Sequence, residues 1–132
     1  MTARLLAAYR RSTYEAAGAT IRIGRRSPAV DALLARLGAR RGGFIGAWNP
    51  FSRRMPAGWN ARMQDRLRQA TRRLPSAEGQ GGHGSWREAH LLIAADPRRL
   101  AVFARRFRQA AIVIVARGQP ARLRPLAASG HR

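Results

Sequence analysis

Hydrophobic and polar positions along the chain follow two periods, and each period marks a different kind of element. Val30, Leu33, Leu34 and Leu37 fall at i, i+3, i+4 and i+7, the apolar stripe of a helix. Ser27 and Pro28 supply a cap and a first-turn proline, and Gly38 stands where the helix should stop. The same stripe recurs at Leu100, Phe103, Ala104 and Phe107 after Asp96-Pro97, and at Met63, Leu67, Ala70 and Leu74 in a helix spanning 56–74. A shorter helix follows Thr2, with Leu5, Leu6 and Tyr9 on one side.

The period of two predicts strands. Ile21 and Ile23 alternate with Thr20 and Arg22 beyond a Gly18-Ala19 turn, so 13–24 is extended. Further strands are predicted at 42–48 and 86–94, and 110–116 is a continuous β-branched run of the kind covered on both faces. Leu123 between Arg122 and Arg124, with Pro125 beside it, reads as an edge strand. The Gly-rich stretch 76–85 reads as a loop. Helices alternating with strands predict one α/β (α+β) domain over 1–126. Its expected core is a single-layer mixed β-sheet of about five strands packed with three to four helices, followed by a frayed tail at 127–132.

Charge alters this picture more than size does. Of the 132 residues 26 are basic and 6 acidic, a formal net charge of +20, and every basic residue is Arg. Such an excess repels itself and attracts polyanions, and guanidinium groups pair bidentately with phosphate. A partner that is nucleic acid or another polyanion is therefore expected, met by the solvent sides of two helices: Arg62 and Arg66, and Arg98, Arg99, Arg105 and Arg106. Compositional drift in a GC-rich coding sequence is the competing explanation, and an acidic protein is a third kind of partner. No helix-turn-helix, zinc-finger or ribonucleoprotein aromatic motif is present, so base-specific readout is not expected.

The absence of cysteine excludes disulfides, thiolate metal sites and a cysteine nucleophile. No apolar run approaches the roughly 20 residues that span a bilayer. With no secretory pattern at its start, the chain is expected in the cytoplasm and away from membranes. No complete metal-ligand set is legible, and neither a metal nor a cofactor is expected. Residues 79–84 match G-x-G-x-x-G literally, but a helix precedes them and a strand follows, the reverse of a dinucleotide site.

Candidate chemistry gathers at a few polar residues. Trp48, Asn49 and Ser52 follow the end of a buried strand, where ligands of open sheets often sit, although Asn49-Pro50 is also ordinary turn chemistry. Asn60 lies near the apolar stripe of its helix, where a buried amide needs partners, in a polar site or in a loop that it holds. Glu88 and His90, two apart on a strand, share a face as an acid/base pair, a fragment of a metal site, or solvated residues.

Several of these stretches taken together, Ala8-Tyr9-Arg10 with Tyr14, Gly43-Phe44-Ile45-Gly46-Ala47-Trp48-Asn49-Pro50, Asn60-Ala61-Arg62, Glu78-Gly79, Trp86-Arg87-Glu88 leading into Leu91-Leu92-Ile93, and Phe107, Gln109 and Ala111-Ile112-Val113, resemble DUF3293, a family of uncharacterised small bacterial proteins. The resemblance runs from about Tyr9 to Leu123 and implies a compact α/β domain. It also implies a polar cluster of Asn49, Asn60, Glu78, Glu88 and Gln109. Three positions depart from the family's pattern: Trp59 stands for an acid, Arg108 for Gly and Ala110 for Asn. The alternative to polyanion binding is thus a small-molecule binding protein or enzyme for a phosphorylated or nucleotide ligand, built around Asn49, Asn60 and Glu88.

Overall fold

A computed structural model describes residues 1–126, the side chain of Phe51 excepted; the expected frayed tail lies outside them. The elements are α1 (Ala3–Arg11), β1 (Thr13–Ala16), β2 (Ala19–Ile21), α2 (Pro28–Arg36), β3 (Arg41–Gly46), α3 (Ala57–Ala70), β4 (Ser76–His83), β5 (Trp86–Ile93), α4 (Pro97–Arg106), β6 (Ala111–Ala116) and β7 (Arg122–Pro125). A single 3-10 turn, Pro50–Ser52, links β3 to α3. The helix signals act as read. Ser27 Oγ accepts from Val30 N at 3.1 Å, Asp96 caps α4 through Arg98 N at 2.9 Å, and Thr2 caps α1. None of these helices is long and apolar enough to cross a membrane.

The α+β class holds, while the sheet differs from the expectation in two respects. It has seven strands in the order β2-β1-β4-β5-β3-β6-β7, and every named strand pair is antiparallel rather than mixed. The α4 crossover does join parallel strands, β5 and β6, but β3 lies between them and pairs antiparallel with both. The extra strands come chiefly from 76–83, which is β4 and not a loop. Glycine weakens strand propensity, but here it permits close backbone approach. A Cβ on Gly79 would collide with the Glu15 carbonyl of β1, and one on Gly82 with the Trp86 carbonyl of β5. The first hairpin turns at Ala17-Gly18, one residue earlier than expected, with φ of 49° and 84°, the positive pair that suits the twist of a tight hairpin.

The sheet curls into a half-barrel whose ends touch at one rim. A parallel bridge joins Ile23 to Ala121, with Gly24 N donating to the Ala121 carbonyl at 2.7 Å and Ala121 N to the Arg25 carbonyl at 3.0 Å. Strand alternation sorts the core onto two faces. Tyr14, Ile21, Phe44, Leu92, Val113 and Val115 line the concave side, where α2 inserts Val30, Leu33 and Leu34. Ile45, Leu91, Ile93, Ile112 and Ile114 line the convex side, covered by Leu67 of α3 and by Leu100, Ala101 and Ala104 of α4. Because α2 fills only part of the concave side, the rest lies beneath α1, a helix with no buried residue of its own.

The end of α4 puts strain on a residue that is not glycine. Arg108 adopts φ 56°, the left-handed conformation that favours glycine after a helix. Arg108→Gly should therefore raise stability by about 1 kcal/mol, read as a higher urea midpoint at unchanged slope; an unchanged or lower midpoint would show that the arginine carries no strain.

Candidate functional site

The polar residues at the end of β3 form one network. Asn49 adopts φ 46°, a left-handed conformation that asparagine tolerates better than most residues. In that pose its amide and backbone reach three partners. Asn49 Nδ2 donates to Glu88 Oε2 at 2.9 Å, Met55 N donates to Asn49 Oδ1 at 2.9 Å, and Asn60 Nδ2 donates to the same oxygen at 3.1 Å. Asn60 Oδ1 in turn accepts from Asn49 N at 3.0 Å. Asn60 thus holds the 49–55 loop, and that loop fixes the carboxylate of Glu88 on β5. Both asparagines are buried. Gln109, just before β6, is held from the other side, with Nε2 donating to the Trp48 and Phe107 carbonyls at 3.1 Å each.

These anchors leave polar atoms pointing into a cavity of about 340 Å³ on the concave face. Glu88, His90, Gln109, Tyr9, Tyr14 and Phe44 all line it, and α1 covers it with Leu5, Ala8 and Tyr9. His90 is buried, and its Nε2 lies 2.6 Å from the Glu15 carbonyl. A carbonyl can only accept, so Nε2 carries the proton and Nδ1 is left as an acceptor. Among the described residues, no hydrogen bond occupies His90 Nδ1, Gln109 Oε1 or the Tyr9 hydroxyl, while the Glu88 carboxylate has Trp86 as well as Asn49 for a partner. The floor is aromatic: Tyr14 stacks with His90 at 6.3 Å between centroids, and Phe44 tilts against His90 at 4.8 Å. Gly81 passes so close to the His90 and Tyr14 rings that a side chain there would press on both.

Burial sets the protonation of these groups. It raises the Glu88 carboxyl above the ordinary carboxylate range, against the opposing pull of Asn49 and Trp86. His90 falls to about 4, again through burial, despite its bond to the Glu15 carbonyl. Tyr9 rises to about 12 through burial and the nearby Glu88 charge, and Tyr14 rises for the same leading reason. The site at neutral pH thus offers a neutral imidazole and two phenols that stay protonated.

The remaining candidates divide. Ser52 lines the cavity mouth with Arg11, His83 and Trp86, and its φ of 66° is strained for serine. Glu78 does not join the cluster. It sits opposite Leu91, on the convex side of the sheet, and pairs with Arg68 at 2.7 Å. Trp48 lines a separate shallow groove beside Glu15 and Gln80, and its indole N–H is sealed without a partner. Tyr9, Tyr14 and Phe44 were missed as site residues by sequence reasoning, because nothing in one chain says that α1 and β1 cover the end of β3. No group of three or more His, Asp or Glu among the described residues could hold a metal.

The arginines lie elsewhere. No described arginine is buried, and Arg41, Arg68 and Arg98 alone among them form ion pairs, with Asp96, Asp65 and Glu78. The other three acids are taken up by structure: Glu15 accepts from Gly18 N and Gln80 N, Asp31 from Gly118 N, and Glu88 from Asn49. Arg62, Arg66, Arg98, Arg99, Arg105 and Arg106 belong to the two helices of the convex layer, but arginines also occur on α1 and α2 of the opposite layer.

A family model described as a protein of unknown function (DUF3293) matches residues 45–112, which takes in the end of β3, the Asn49 loop, α3, β4, β5, α4 and the start of β6. Neither the curated proteins nor the solved structures contain a match.

Proposed function

Since the chain belongs to the DUF3293 family, whose description assigns no activity, we propose a function from its cavity: the protein binds a small organic molecule beneath α1 on the concave face of the sheet. One observation carries this reading. Glu88, His90 and Gln109 each have a polar atom fixed by the scaffold, and all three line one shared cavity. Buried groups pinned in this way give orientation at low entropic cost, and about 340 Å³ is at the small end of ligand pockets. The cytoplasmic location expected from the sequence stays part of this proposal. In a thermal-shift screen of small fragments, hits should stabilise the native chain and fail to stabilise Ala8→Trp, which fills the cavity from the exposed helix. Hits that stabilise both alike, or no hits at all, would overturn the reading.

A second reading, polyanion binding, is favoured by the arginines of α3 and α4, of which Arg62, Arg66, Arg99, Arg105 and Arg106 form no ion pair among the described residues. Single-stranded or duplex DNA should then bind with a log–log salt slope near −0.9 per phosphate on the duplex, reduced when Arg98, Arg99, Arg105 and Arg106 become Gln. Affinity insensitive to salt would rule it out.

A further inference from the structure

Resting on the cavity reading, we infer that the ligand is a mononucleotide whose base carries an exocyclic amino group. The inner polar atoms are lopsided. Gln109 Oε1 and His90 Nδ1 are acceptors, because the donors of those residues are already spent on backbone carbonyls, the Glu88 carboxylate is a third, and the Tyr9 hydroxyl is the one free donor beside them. A ligand entering here must bring donors to its inner edge, since an acceptor in that place would face three lone pairs with only the Tyr9 hydroxyl to donate to it. The walls suit a flat ring: Tyr14, His90 and Phe44 form the floor, and Ala111 and Val113 add apolar surface.

The mouth has the opposite character. Arg11 and Ser52 line it, and Glu88 is the one acid among the residues around the cavity. Trp86 stands at the same rim, 49% exposed, an aromatic face held where water would normally be preferred. The ligand therefore has a donor edge inside and an anionic substituent outside, beside Arg11, with the ring or sugar passing Trp86. Simple amines fail this test, since the net charge of +20 repels a free cation and nothing at the mouth would hold it. An amino-bearing base with a phosphate meets both ends. The volume holds a single nucleotide, so the source is a free mononucleotide and not a strand.

Displacement of anilinonaphthalene sulfonate from the full chain tests this. The dye should bind the native protein and not Ala8→Trp. Cytidine and adenosine monophosphates should displace it about tenfold or more better than uridine and inosine monophosphates, which carry a carbonyl where the amino group would be. Glu88→Gln should narrow that preference without abolishing dye binding, and Arg11→Gln should weaken the monophosphates to the level of the nucleosides. If the dye binds but uridine and inosine monophosphates compete equally, or no nucleotide competes, the ligand class is wrong while the cavity stands. A dinucleotide competing as well as a mononucleotide would overturn the free-nucleotide source. Equal dye binding by the native chain and Ala8→Trp would remove the cavity reading, and this inference with it.

Discussion

Asn49→Ala is expected to lower folding stability by about 3–5 kcal/mol, the largest loss from any single truncation of a polar side chain here. The substitution removes the partner of Glu88 Oε2, of Met55 N and of Asn60 Nδ2 at once, and all three sit in or beside buried structure. Each orphaned group costs about 1–3 kcal/mol. Alanine also tolerates φ 46° less well than asparagine. Because Asn49 and Asn60 act on the same groups, the double variant Asn49→Ala/Asn60→Ala should cost less than the sum of the two. Urea denaturation of the three variants checks both points. A loss below about 1 kcal/mol for Asn49→Ala, or strict additivity, would mean that the network is not a unit.

Acidification should cost about 3 kcal/mol of stability through His90 alone. Its imidazole falls from the ordinary 6.5 to about 4 in the folded chain. Between those values the unfolded chain binds the proton and the folded chain does not. Stability is therefore fully present above 6.5 and is lost as pH falls toward 4. Glu88, raised by burial, works in the opposite sense and steepens nothing in this window. Urea midpoints measured from pH 7 to pH 4 should fall in the native protein and stay flatter in His90→Phe, which keeps an aromatic ring beside Phe44 and Tyr14. An identical acid limb in both proteins would show that His90 does not titrate in this way.

Much of this architecture was legible from local signals. The caps at Ser27 and Asp96 and the stripes of α2 and α4 need only neighbouring residues and form as the periodicity requires, whereas α3 stops at Ala70 and leaves Leu74 in the turn beyond it. The place of Asn60 near an apolar stripe marked it as an amide in need of partners, in a polar site or in a loop that it holds, and it holds the 49–55 loop. What was not legible is non-local. The glycines of β4 look like loop punctuation until β1 and β5 are seen crowding them on either side. Glu78 and Glu88 look equivalent in sequence, yet strand parity sends them to opposite faces of one sheet. The share of the cavity contributed by α1 depends on how far the sheet curls, which is set by the meeting of Ile23 with Ala121, two ends of the strand order.

The most direct measurement is a heteronuclear NMR titration of the isotopically labelled protein with adenosine monophosphate. The largest shift changes should fall on Tyr9, Tyr14, Glu88, His90 and Gln109, the residues gathered under α1. Changes confined to the outer arginines of α3 and α4, with the residues beneath α1 unmoved, would contradict it.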